Sequence, residues 1–451
     1  MTSYFCEHAV IGTGYTIERD VAIEVENGII THVRAGAPSA GAAEVLNGLT
    51  IPGLANCHSH VFHRALRGRT HGGGTFWTWR EQMYALAAVI DPDLMHRLAK
   101  AVYAEMALAG FTSVGEFHYL HHGRDGVPYD DPNAMGEALV AAAREAGLRI
   151  SLLDTCYLSA GFDKPPQGVQ RRFSDGDADR WDARADALYA KYANADDVVI
   201  GAAIHSVRAV PADQLSTVSA WAHVRNVPLH VHLSEQPDEN FDCVAATGMT
   251  PTALLAAHGV WGPRTTGVHA THLTEDDITT LGDHEAFACF CPTTERDLAD
   301  GIGPSRRLHA SGALVTIGSD SNAVIDGFEE LRLVEHHERL LSLRRGNWSP
   351  MELLEVGAAT GQESLGFGDA GVLEVGWRAD LVTVGWESTR LAGAPIDLPS
   401  LMFAASAADV SDVVVDGRRV VAGGSYDRGA DVGGQLRSAV DECWRRLEDS
   451  R

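Results

Sequence analysis

No run of apolar residues in the chain approaches the roughly 18 needed to span a bilayer as a helix. The first residues, Met1 to Gly12, lack the basic-then-apolar pattern of a secretory signal. Basic residues are scarce, with 36 Lys and Arg against 61 Asp and Glu and a formal charge of −25. Such a polyanion is repelled by nucleic acid and by anionic membrane surfaces. Cysteine supplies no framework either. The seven, Cys6, Cys57, Cys156, Cys243, Cys289, Cys291 and Cys443, are odd in number, scattered and without a C-x-x-C pair, which points to buried free thiols in a reducing compartment. These absences lead us to expect a cytoplasmic protein that acts on a small molecule, with neither nucleic acid nor membrane as partner.

Histidine is what the chain has in excess. Its 21 histidines are about twice the number an average composition supplies, and His is the commonest metal ligand and general acid/base. Where they fall depends on the layout. The 451 residues, 45% of them hydrophobic, suffice for one large core or two ordinary ones. Near the N-terminus, Val21 to Val33 alternates apolar and polar residues about Asn27-Gly28, a hairpin signal. A similar unit flanks Asp416-Gly417 near the other end, and the two are expected to pair into one small sheet. Between them, short apolar runs alternate with helical patterns. Strands are expected near Thr50 to Ala55, Thr112 to Gly115, Ile150 to Asp154, Val198 to Ile204, Pro228 to Leu233, Thr266 to His269, Ala286 to Cys291 and Leu314 to Gly318. Eight strands with intervening helices fit an α/β fold of the (β/α)8 barrel type. A doubly wound sheet competes, but no G-x-G-x-x-G follows the first strand to support nucleotide binding.

Chemistry-bearing residues collect at one end of these strands. His58 and His60 close the first strand two residues apart, so both imidazoles face one side. His230 and His232 share a face at the end of the fifth. Glu235 reaches the same pocket only if the chain turns after Leu233, and there a carboxylate could shuttle protons. His269 ends the sixth strand and Asp320 the eighth, the latter with a helix N-cap as its competing role. Barrel enzymes build their active sites at the C-terminal ends of the strands, so the coincidence of four strand ends points to a metal site.

With His-x-His after strand one, His after strands five and six, and Asp after strand eight, the chain resembles the amidohydrolase superfamily. Within it, the chain is similar to the formimidoylglutamate deiminases through Phe76 to Arg80, Glu116 to His122, Arg171 to Phe173, His205 to Ala209 and Thr293 to Glu295. The resemblance implies a TIM-like barrel, residues 51–367, beside a small β-sandwich built from both termini, 1–50 and 368–451, with a C-terminal helix. No Lys stands at the ends of strands three and four, where binuclear relatives carry a bridging carboxylated lysine, so one metal per chain is implied. That metal would be zinc, with iron or another divalent ion as the alternative, on His58, His60, His232 and Asp320. Glu235, His269 and Asp320 would serve catalysis, while Arg80, Tyr119, His205 and Arg208 would hold the substrate.

The implied reaction is hydrolysis of N-formimino-L-glutamate to N-formyl-L-glutamate and ammonia, a step of histidine degradation, by a homodimer. A substrate with two carboxylates calls for fixed cations, and arginine's planar fork suits carboxylates. Two positions depart from the family pattern. His63 stands in the substrate pocket where familiar members have Gln, and Asn322 stands where many have His. The competing readings are another mononuclear deaminase, acting on a nucleobase, and a non-catalytic barrel scaffold.

Overall fold

The strands sort into two sheets of eight, and the chain alternates between them only twice. The computed structural model describes residues 2–450 apart from His71, Arg428 and Ala430. In chain order the strands are β1 (Thr2–Ile11), β2 (Thr16–Glu26), β3 (Ile29–Arg34), β4 (Glu44–Pro52), β5 (Leu54–Ser59), β6 (Phe111–His118), β7 (Arg149–Cys156) and β8 (Val198–Ile204). They continue with β9 (Leu229–Leu233), β10 (Thr265–His269), β11 (Phe287–Phe290), β12 (Leu314–Ile317), β13 (Leu381–Val384), β14 (Val410–Val415), β15 (Arg418–Ala422) and β16 (Ser425–Tyr426).

β5 to β12 lie in sequence order, each parallel to the next, with helices in the crossovers. Parallel strands covered on both faces read as continuous apolar runs, and every residue of β6 and β7 is buried. The barrel closes at its C-terminal mouth, where Ser59 bridges to Asp320. There the His60 amide donates to the Asp320 carbonyl and the Asp320 amide to the His58 carbonyl, each at 2.9 Å. Asn56 reinforces the seam by accepting from the Ser319 amide at 2.9 Å. Gly318 is required at this crossing, because a Cβ there would lie 2.8 Å from the His58 backbone nitrogen. The helix Ala359–Ser364 plugs the floor, with Leu365 and Phe367 packed against Ala55, Cys57, Val268 and Cys289.

The termini build the second sheet, in the order β16-β15-β14-β13-β4-β1-β2-β3. Both expected hairpin turns are present, with positive φ at Asn27 and Gly28 and again at Asp416 and Gly417. The turns meet, since a Cβ on Gly28 would lie 3.3 Å from that of Asp416. Ile29 also bridges to Arg378, just before β13, which folds the far edge of the sheet back around Tyr4, Ile23, Ile30 and Leu381. The C-terminal helix Val432–Asp449 docks on the barrel, where Trp444 Nε1 donates to the Ala65 carbonyl at 2.9 Å.

One expectation is corrected, and one competing role is excluded. The apolar stretch from Thr50 to Ala55 is not one strand, because Pro52-Gly53 breaks it and Leu49–Pro52 pairs with β13 of the terminal sheet instead. Asp320 does not cap a helix; the next helix, Gly327–Ser342, takes Asp326 as its N-cap. The helix Phe76–Ala87 turns Phe76, Met83, Leu86 and Ala87 inward at helical spacing. All seven cysteines are free and buried, and among the described residues no helix is long and apolar enough to cross a membrane.

Candidate active site

Three strand ends, those before Glu235, at His269 and at Asp320, deliver side chains through turns that favour function over backbone comfort. Ser234, His269, Ala270, Asp320 and Asn322 all adopt positive φ, between +43° and +70°, at the barrel mouth. Non-glycine residues there carry a local energetic cost and cluster at functional sites. The turn at Ser234 is the one Glu235 needs in order to reach the pocket.

His58, His60 and His232 place their ring nitrogens within 4.8 Å of one another, as do His58, His269 and Asp320 with their ligating atoms. His60 Nδ1 lies 2.9 Å from the Phe117 carbonyl and His232 Nδ1 2.9 Å from the His205 carbonyl. A carbonyl only accepts, so both Nδ1 atoms carry the proton and both Nε2 atoms present lone pairs. Those Nε2 atoms stand 3.3 Å apart, and His58 Nε2 is 3.2 Å from that of His232. Burial pushes the His58 imidazole down to about 3 and holds His60 and His232 low as well, so all three are neutral near pH 7. Burial opposes ionisation of Asp320, yet His58 and His60 hold its carboxyl well below the usual range. Its Oδ1 lies 3.5 Å from both His58 Nε2 and His60 Nε2. Converging lone pairs repel unless a cation sits among them, so three neutral imidazoles and one carboxylate fit a divalent metal. His230, two residues below His232, is buried, and burial pushes its imidazole down to about 4 against a hydrogen bond with the Ser364 backbone.

Glu235 and His269 face one another across 3.8 Å. Burial raises the Glu235 carboxyl to about 7; the nearby His269 opposes this and Asp320 adds to it. Behind His269, Glu295 Oε1 lies 3.3 Å from its Nδ1 and accepts the Cys291 amide at 2.8 Å. That carboxylate was quoted in the sequence without a role. Glu116 was likewise quoted without a role, whereas Glu239 left no signal there. Glu116 accepts the Val61 amide at 2.8 Å, fixing the turn after His60, and Glu239 accepts the Ser234 amide at 3.1 Å. Asn322 donates to the His60 and Asp320 carbonyls at 3.2 and 3.1 Å, which ties the two ligand loops together.

The residues expected to hold substrate line the same pocket: Arg80, Tyr119, His205, Arg208 and His63. Arg80 comes from the helix Phe76–Ala87, whose far end is held by Arg172 through hydrogen bonds to the Ala87 and Ile90 carbonyls. Arg208 Nε is 3.4 Å from Glu239, and for Arg80 no carboxylate partner is recorded among the described residues. His63 is buried, with Nε2 2.8 Å from the Tyr119 hydroxyl.

Residues 49–420 match the amidohydrolase family. Over 443 residues the chain is 36% identical to formimidoylglutamate deiminase of Pseudomonas aeruginosa, covering 94% of this chain and 96% of that one. It is 28% identical to 8-oxoguanine deaminase of the same species, covering 86% and 84%. The crystal structure of an amidohydrolase from Brucella melitensis aligns with a TM-score of 0.91 at 31% identity, covering 98% of this chain and 100% of that one. An adenosine deaminase from Xanthomonas campestris, solved with bound zinc, shares the fold with a TM-score of 0.87 at 24% identity, covering 99% and 98%. With the family match spanning most of its length, this chain belongs to the amidohydrolase family.

Proposed function

We propose that the chain is a deiminase that hydrolyses N-formimino-L-glutamate to N-formyl-L-glutamate and ammonia, using one zinc ion held by His58, His60, His232 and Asp320. The observation that carries this reading is the placement of two guanidiniums, Arg80 and Arg208, with Glu235, whose carboxyl burial raises to about 7, in the pocket that holds the ligand set. A relative 36% identical along nearly the whole chain carries the matching name. Held by His58, His60, His232 and Asp320, a zinc ion would make water acidic enough to act as a nucleophile near neutral pH.

The chain's own residues account for the rest. Arg80 and Arg208 bind the two carboxylates of the substrate and set its formimino carbon toward the ligand set. Asp320 accepts one proton from the attacking water, while His269 orients the water's oxygen. Glu235 donates its proton to the imine nitrogen, takes back the proton of the new hydroxyl and hands that one to the same nitrogen. The C–N bond breaks, ammonia leaves and the formyl carbonyl remains; the proton on Asp320 restores Glu235. The reading extends to a cytoplasmic homodimer, divided into a barrel at 51–367 and a terminal domain at 1–50 and 368–451.

Metal analysis combined with an ammonia-release assay tests it. About one equivalent of zinc and turnover of formimino-L-glutamate are expected. Ammonia released from guanine or another nucleobase, and none from formimino-L-glutamate, would replace this reading with that of a nucleobase deaminase.

A further inference from the structure

Both substrate-facing arginines rest on one indole. The guanidinium carbon of Arg80 lies 4.4 Å from the ring centroid of Trp77, and that of Arg208 lies 5.9 Å from it. Trp77 is absent from the wall of the pocket that holds the ligand set, which both arginines line. It sits behind them, in an outer cleft shared with Lys164 and Asp242. Tyr84 gives Arg80 a second aromatic face at 5.5 Å.

Two guanidiniums side by side repel, and something must hold them together before a dianion arrives. A carboxylate on each would do so, but would compete with the substrate's carboxylates for the same N–H donors. An aromatic face attracts the cation through the ring quadrupole and leaves the in-plane N–H groups free. Arg208 is linked to Glu239 through Nε, at 3.4 Å, so its terminal nitrogens stay available. Arg80 has its aromatic contacts alone among the recorded partners.

We propose that Trp77 is the positioning residue that holds Arg80 and Arg208 at the spacing of two carboxylates, and so makes the site select dianions over monoanions. The proposal rests on the dianionic-substrate reading above, and acts through the arginines rather than on the reacting atoms. A ring that only filled space would affect all ligands alike. A ring that sets the distance between two charges affects only ligands that engage both.

The test measures glutarate and butyrate binding to the metal-loaded protein by calorimetry, alongside steady-state kinetics with formimino-L-glutamate. Trp77→Leu should weaken glutarate binding and raise KM about tenfold, with kcat within about twofold and butyrate binding unchanged. Trp77→Phe should restore most of the loss. In an Arg80→Met background, Trp77→Leu should add less than about twofold, because the spacing is already lost. Equal weakening of glutarate and butyrate, or a fall in kcat at unchanged KM, would overturn the proposal. So would a Trp77→Phe protein as impaired as Trp77→Leu. If the parent protein prefers glutarate and loses that preference in Trp77→Leu, yet releases no ammonia from formimino-L-glutamate, the substrate assignment falls and the role of Trp77 stands. If the parent shows no preference for glutarate, the role of Trp77 falls whatever the substrate.

Discussion

Arg149 at the floor of the barrel and Asp320 at its mouth are both buried charges, and they are treated in opposite ways. At the floor, Arg149 binds Asp380 through both terminal nitrogens and Asp416 at 2.9 Å, while the Asp416 amide also donates to Asp380. Arg378 supplies the second cation, 3.1 Å from Asp416, and the cluster joins the barrel to the terminal sheet. At the mouth, Asp320 faces His58 and His60, which burial keeps neutral, and His269, whose burial is outweighed by Glu235, Glu295 and Asp320, which hold it well above the ordinary histidine range. The lone pairs of His60 and His232 point at one another. The backbone around them occupies left-handed conformations, at Asp320 and Asn322 for example. Equal burial therefore has two meanings. A cluster of paired charges holds elements together, whereas a cluster of converging lone pairs is shaped for a cation.

Substituting one member of each cluster should separate these meanings most widely. Asp320→Asn should lower turnover by on the order of a thousandfold or more, with loss of metal, because it removes the ligand charge and the proton acceptor together. Arg149→Met should leave activity per folded molecule nearly unchanged. It should cost about 3–5 kcal/mol of stability in denaturant melts, the usual result of stripping one partner from a buried ion pair. Near-normal turnover with full metal content in Asp320→Asn would show that the mouth, too, is structural.

Glu235 sharpens the contrast within the mouth itself. Glu235→Gln keeps the shape and the metal but cannot carry a proton, and should lower kcat by about 10² to 10⁴. Its carboxyl is raised to about 7 by burial, so the proton-bearing form prevails below that pH and is lost above it. A donor role then predicts that kcat falls as pH rises through about 7, and that Glu235→Gln lacks this limb. A rate that rises through the same range would reverse the direction of proton transfer.

The strand ends were legible because barrels force regularity: alternate residues share a face, and His58, His60, His232, His269 and Asp320 fall where strands stop. β8 was located to the residue as Val198–Ile204. The helix carrying Arg80 was hard to read because aromatic and polar residues interleave along it, and its far end is held by Arg172, more than eighty positions away. Glu116, Glu239 and Glu295 were hidden for a related reason. A buried glutamate that accepts one backbone amide looks, in sequence, like any solvated glutamate, and only the fold shows which amide it meets. The same holds for Asp320: its competing role as an N-cap fell to Asp326, six residues on.

The two arginines should differ from one another. Arg80→Met removes a guanidinium with no carboxylate to strand, and should lower kcat/KM by about ten- to a hundredfold, the worth of one charge-assisted hydrogen-bonded contact. Arg208→Met should lose more, since it also leaves the buried Glu239 without its cation and loosens the Ser234 turn that carries Glu235. Lysine at either position should recover only part of the loss, because a point charge cannot reproduce the planar fork. Equal effects at both positions, with kcat untouched, would separate Glu239 from the catalytic turn.

The smallest effect is expected at His63, the residue that departs most visibly from the family pattern. Its ring lies 4.7 Å from that of His60 and its Nε2 2.8 Å from the Tyr119 hydroxyl, so it belongs to the pocket wall. Burial, reinforced by His60, holds it well below the ordinary histidine range, and a neutral imidazole offers one donor and one acceptor. The amide of glutamine offers the same two functions over a similar reach. His63→Gln should therefore keep formimino-L-glutamate as the preferred substrate and change kcat/KM by less than about tenfold, within the range of one neutral hydrogen bond. A larger loss, or a switch in substrate preference, would mean that His63 makes a contact an amide cannot.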